Sequence, residues 1–344
     1  MSATMTPSPH PAASERSEAR LRSPAQAIWQ RLRRHRQAAV LPVLFIVAVG
    51  IFAVHAPGFL SADNLVNVSR QAVYLLIVAL AQLVVLIGGG LDLSVGTVVA
   101  LASVVGATVM TLVSAAVPDS PWIAIAAGCA AGMAAGMLVG VVNGLGTALL
   151  RIPSFMMTLG MSSVVFGLTL FVSGGVPIQG LPAEFAQAFG FGRVAGLPVP
   201  SLIAVCVVLA IYVLLEWTRY GRHLYATGGN TRAAELSGVR TSRVTVASFA
   251  IAGALSALSG LLLTARLDTG ESNIGASLPL ESIAACVIAG VSLAGGAGRT
   301  VAVVLGTLLI VLVQNGMNLM QVGAYAQTIA IGAILIVAMA LARR

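Results

Sequence analysis

Side chains able to do chemistry are few in this chain, and most occupy set places in or beside apolar runs. GGGLDLSVGT, Gly88 to Thr97, puts Asp92 and Ser94 directly after three glycines. The glycines let the backbone turn tightly or approach a neighbour. A carboxylate and a hydroxyl then suit a helix start, where free N–H groups and the dipole favour oxygen and negative charge. Two readings fit these residues: a capped turn, or a narrow part of a translocation path. VQNGMNLM places Asn315 and Asn318 three apart, on one helical face. Gln82 and Asn143 are further amides in or near apolar runs. An amide in lipid must find a partner. Each is therefore interhelical glue, or together they form a wet surface able to hydrogen-bond a polyhydroxylated solute. Glu281, expected at the outer start of a span, keeps an ion-coupled mechanism open, because membrane-embedded acids serve proton and sodium relays. No expected span holds Asp or Glu at its centre.

Several chemistries are excluded. All 19 basic residues are Arg. A phosphate-binding loop of the Walker type ends in Lys, whose ammonium neutralises the phosphates, so no such site exists here. Cys129, Cys206 and Cys286 lie far apart inside apolar runs, and the 4 histidines form no ligand pattern. The cysteines read as small packing residues, with no metal and no disulfide framework. The net charge of +8 does not call for nucleic acid, since the arginines flank apolar runs as membrane topology requires.

The densest polar stretch is GRHLYATGGNTRAAELSGVRTSR, Gly221 to Arg243. Within it Asn230 or Thr231 caps a short helix over Arg232–Ser237, and Gly238 stops it. Ala233, Ala234 and Leu236 offer a small apolar surface flanked by Arg232 and Glu235. Two readings are open: a solvated connector that sets topology, or a docking helix for another protein.

These residues need a membrane scaffold. The chain is 58% hydrophobic and 9% charged, against about a quarter charged in soluble domains. Its apolar runs are long enough for helices and do not alternate with period two. Ten spans are predicted: Ala38–His55, Val68–Ile87, Val95–Val117, Pro121–Val142, Phe155–Val172, Pro200–Trp217, Val244–Thr264, Leu280–Ala294, Thr300–Met317 and Tyr325–Leu341. The eighth is short and is expected to be tilted or broken. Placing both termini inside puts 16 of the 19 arginines on the inner side, leaving Arg70, Arg193 and Arg266 outside. Met1–Gln37 is an Arg-rich arm, predicted to be cytoplasmic and disordered. It is long for a secretory signal peptide, so the first helix is read as uncleaved. The permease domain proper would be 38–344, with a polar connection at 218–243. Spans two to five and seven to ten would have opposite orientations, as in inverted-repeat transporters. Gly128, Gly132, Gly136 and Gly140, at spacing four, predict a close packing seam. Pro153 breaks the chain before the fifth span, and Ser154 is expected to cap it. Ser173–Val199 is expected to carry a short surface helix.

Four ordered blocks carry a resemblance: GGGLDLSVGTVVALASVVGA, RIPSFMMTLGMSSV, GRHLYATGGNTRAAELSGV and ESIAACVIAGVSLAGGAGRT. From about Leu60 to the C-terminus the chain resembles the ribose/xylose/galactose-type ABC-importer permeases. Val291 departs from the family's GGTSL block, where Thr stands. The resemblance implies a bacterial inner-membrane permease that pairs with a second copy or a paralogue. It implies a cytoplasmic ABC ATPase holding ATP and Mg²⁺, an extracytoplasmic solute-binding protein and a monosaccharide as solute. No cofactor is implied in this chain. The resemblance makes Gly221–Val239 the coupling loop, with Gly221, Asn230, Arg232, Ala233, Ala234, Glu235, Leu236 and Gly238 at the ATPase contact. The rival classes are an ion-coupled secondary transporter using Glu281 and a non-transport membrane scaffold.

Overall fold

The computed structural model describes residues 41–323, 325–330, 332 and 333. The arm over Met1–Gln37 and most of the span predicted at Tyr325–Leu341 lie outside the described residues; residues 325–330 are helical. The contacts divide the chain into Met1–Leu44 and Phe45–Arg344.

Helix α1 spans Leu41–His55. Helix α2, Ala62–Ile87, begins at Ser61, whose Oγ accepts from the Asn64 N–H at 3.3 Å. Every residue of α2 from Ala72 to Ile87 is buried. An all-round apolar sequence gives such a helix no outward face, so it becomes the centre of the fold. Around it run α3 (Val95–Ala116), α4 (Pro121–Ala148), α5 (Ser154–Ser173), α6 (Val199–Trp217), α7 (Arg219–Gly229), α8 (Thr231–Leu236), α9 (Thr241–Leu267), α10 (Leu278–Ile288) and α11 (Thr300–Leu319). Among the described residues, seven helices are long and apolar enough to cross a membrane: α2, α3, α4, α5, α6, α9 and α11. Helices α1 and α10 are apolar but shorter.

The predicted seam is present. A Cβ at Gly132 would lie 2.9 Å from the Ala102 carbonyl of α3, and one at Gly136 would lie 2.8 Å from the Gly253 carbonyl of α9. A Cβ at Gly140 would run into the Phe249 carbonyl. The stripe thus lets α4 lie backbone to backbone between α3 and α9. By contrast, α5 and α6 bury few residues and present Met156, Phe171 and Val205 outward.

Two expectations are corrected. Ser154 does not cap its helix: Pro153 holds the N-cap position, and the Ser154 Oγ accepts from the Leu91 N–H at 3.0 Å. The open N–H of the α2–α3 connection claims the hydroxyl. The segment between Ser173 and Val199 holds helical turns at Ala183–Phe185 and Ala186–Gly190, but they are not a surface helix. Phe185 is buried, and Gly190 approaches the Ala265 backbone of α9. The eighth span, expected to be tilted or broken, is broken: α10 ends at Ile288, Gly290 takes φ +77° and the Val291 N–H bonds the Cys286 carbonyl.

Gly140→Leu is expected to lower the melting temperature of the purified protein, because overpacking against backbone costs about 1–3 kcal/mol or more. Gly160→Ala on α5, where a Cβ meets nothing within 4 Å, is expected to melt at or slightly above wild type. Equal melting of Gly140→Leu and wild type would refute the seam.

Candidate functional site

The polar stretch forms a built island. Thr218 caps α7, its Oγ1 accepting from the Gly221 N–H at 3.2 Å. Helix α7 buries Gly221, Leu224 and Thr227 and exposes Arg222 and His223. Asn230 then caps α8, its Oδ1 accepting from the Ala233 N–H at 2.9 Å. Gly238 takes φ +84°, and Thr241 Oγ1 donates to Glu235 Oε1 at 2.9 Å, tying α8 to the start of α9. Ala234, expected on the outer apolar surface, is instead turned inward at 5% exposure, while Leu236 is 79% exposed. A six-residue helix resting on its own chain must bury one face, and Ala234 lies on it. Gly221, Asn230, Ala234, Glu235 and Gly238 therefore build the island. Arg232, Ala233 and Leu236 remain outward, alongside the exposed Arg219, Arg222, Arg240 and Arg243.

The island rests on two glycine turns of the membrane part. A Cβ at Gly228 would collide with the Ile87 carbonyl at the end of α2. That carbonyl accepts from the Gly296 N–H at 2.9 Å. Gly295, at φ +93°, would place a Cβ 2.7 Å from the Gly228 carbonyl and 2.8 Å from Gly89 Cα. The end of α7, the end of α2 and the connection from α10 to α11 thus meet with no side chain between them. Tyr225 Oη donates to the Gly298 carbonyl at 2.8 Å. Burial holds its phenol above the ordinary range, Glu216 adds to this and Arg299 opposes it, so the donor stays protonated.

The candidate path residues fall into separate groups. Asp92, Ser94 and Asn143 come together: Asp92 Oδ1 accepts from Ser94 N–H at 2.8 Å and Ser94 Oγ at 2.6 Å, and Asn143 Nδ2 donates to Ser94 Oγ at 2.8 Å. All three are buried. Asn315 and Asn64 exchange two amide hydrogen bonds at 2.9 and 3.0 Å, joining the end of α11 to the start of α2. Asn318 accepts from Gln327 at 2.7 Å. These amides act as glue. Gln82 is fully buried in α2, and neither of its amide atoms has a hydrogen-bond partner among the described residues. Glu281 lies in the first turn of α10, two residues after Pro279, which packs on Gly96 in the first turn of α3.

A family profile described as branched-chain amino acid transport system / permease component matches residues 64–339. The chain belongs to this permease family. The ribose import permease RbsC of Bacillus subtilis (strain 168) is 40% identical over 302 residues, which cover 88% of this chain and 91% of that one. RbsC of Escherichia coli (strain K12) is 34% identical, covering 86% and 90%. The galactose/methyl galactoside import permease MglC of Haemophilus influenzae is 36% identical, covering 89% and 94%. No solved structure matches. The permease is thus a multi-pass, all-α membrane protein.

Helix α7 escaped the sequence reading, which placed a helix only at Arg232–Ser237. Thr218 before a Gly221–Leu224–Thr227 stripe is the pattern that reveals it. Burial also holds the Asp92 carboxyl above its ordinary range, against the opposing pull of its Ser94 hydrogen bonds. The folded permease therefore retains a proton that the unfolded chain releases above about 3.8. Its stability falls as pH rises from there to the raised value, then stays level. Asp92→Asn keeps an Oδ1 acceptor for Ser94 and removes this loss. It is expected to melt above wild type at neutral pH and to flatten the melting-temperature profile on the acid side. Melting below wild type at neutral pH would show that the site favours an ionised carboxylate.

Proposed function

We propose that the chain is the permease subunit of a bacterial ABC importer carrying a monosaccharide across the inner membrane. The observation that carries this reading is 34–40% identity to ribose and galactose import permeases over at least 86% of the chain. A cytoplasmic ATPase supplies ATP and Mg²⁺ chemistry, a solute-binding protein delivers the sugar from outside, and a second permease copy or paralogue completes the path. Ten spans, both termini inside and an inverted relation between the two blocks of helices belong to this reading. The arginines exposed on the island support it, because inner segments collect positive charge.

In this reading the ATPase docks on the outward residues of α7 and α8. ATP-driven closure moves the island, and the side-chain-free contact at Gly228 passes that displacement to the end of α2 and to the turn before α11. The permease performs no covalent chemistry on the solute. The family description names branched-chain amino acids, so the solute panel that decides the matter includes leucine beside ribose, galactose and arabinose. Vesicles holding the permease, its ATPase and loaded binding protein are expected to take up a sugar only with ATP. Uptake driven by an ion gradient without ATP would favour a secondary transporter, and no uptake at all would favour a scaffold.

Leu236→Asp tests the docking face. Loss of an apolar contact and burial of a charge weaken binding by at least about 1.4 kcal/mol, or tenfold. Co-purification of the ATPase should fall accordingly, at unchanged permease expression. Ala234→Asp should instead destabilise the island itself. Full co-purification with Leu236→Asp would remove Leu236 from the contact.

A further inference from the structure

The segment before α10 runs back along α3. Gly270 pairs with Ile178 through both backbone bonds, at 2.9 and 2.8 Å, and lies over Ala107 in the middle of α3. Ser103 Oγ, itself receiving the Thr264 hydroxyl at 2.6 Å, accepts from the Glu271 N–H at 3.1 Å. Four residues after Glu271, Gly275 lies against Val99 and Gly96, and Pro279 packs on Gly96. The chain therefore runs from mid-α3 to its first turn, about 10 Å at 1.5 Å per residue, in turns rather than helix. Helix α10 begins only there and lasts 11 residues. Irregular backbone at membrane depth persists where protein buries it or where it lines a water-filled cavity. Here protein covers one side only. Asn273 and Ser277 are exposed, and Glu281 is half-buried. None of these three side chains has a hydrogen-bond or ion-pair partner among the described residues, and all three are costly to place against lipid.

We propose that this re-entrant segment lines the aqueous path and that Asn273, Ser277 and Glu281 bind the solute there, as a neutral polyhydroxylated ring. The chemistry matches: an amide, a hydroxyl and a carboxylate supply donors and acceptors for several hydroxyls, with the carboxylate accepting two at once. Broken spans in transporters place their solute sites in the same way, where a helix gives way to exposed backbone. This proposal rests on the sugar-importer reading above.

The test uses the full permease with Cys129, Cys206 and Cys286 replaced by alanine. Asn273→Cys and Ser277→Cys should react with a charged, membrane-impermeant methanethiosulfonate at least about tenfold faster than Val205→Cys on the outward face of α6, since thiolate chemistry needs water. Labelling no faster than Val205→Cys overturns the proposal, and this readout needs no sugar. In the native-cysteine permease, assembled with ATPase and binding protein, Asn273→Ala and Glu281→Gln should each cut the maximal sugar uptake rate about tenfold. Melting temperature and ATPase co-purification should hold, and Leu280→Ala should stay near wild type. Wild-type rates in both polar variants overturn the proposal while leaving the importer reading intact. If wild-type vesicles import no sugar at all, that reading fails instead.

Discussion

The Ile87 carbonyl accepts one hydrogen bond, from Gly296, and Gly228 lies across both. The arrangement of the island depends on that contact. A methyl group at Gly228 or Gly295 would separate the surfaces, and the φ of +93° at Gly295 would strain any other residue. Backbone-to-backbone contact is stiff because it has no rotamers to absorb a displacement. The island is therefore tied to the most buried of the described membrane-length helices and to the turn that launches α11. It is not a tether hanging from α6 and α9. The same device recurs at the α4 seam, where glycines bring three helices into backbone contact.

Polar groups divide by the same logic. Those that meet a partner inside the protein act as clasps: Asn64 with Asn315, Ser94 with Asp92 and Asn143, Thr241 with Glu235. Several that meet none among the described residues lie outward on the island or along the broken connection before α10, while Gln82 meets none inside α2. The first set fixes the fold, and the proposed docking and solute contacts draw on the outward groups.

The sequence made much of this legible, for identifiable reasons. Apolar runs in lipid leave few alternatives to helices, so seven long spans lie close to their predicted places. Spacing-four glycines announced the α4 seam, and an Asn–Thr start with a glycine stop announced α8. What stayed hidden depends on through-space neighbours. Ser154 looks like a cap until the Leu91 N–H is found beside it. Ala234 and Leu236 are equally apolar in the string, and only the packing of α8 turns one in and the other out. Glu281 follows a loop of ordinary composition, and nothing local shows that Gly270–Pro279 runs back along α3. The cluster at Gly89, Gly228 and Gly295 unites positions far apart in sequence, each readable alone only as a flexible turn.

The most direct test of the central claim is deuterium exchange of the assembled transporter, followed over 85–90, 219–229 and 292–298 with and without a non-hydrolysable ATP analogue. A stiff three-way contact predicts slow exchange in all three segments and protection that shifts in concert when nucleotide is added. A change confined to 219–229, with the other two at their nucleotide-free levels, would contradict it.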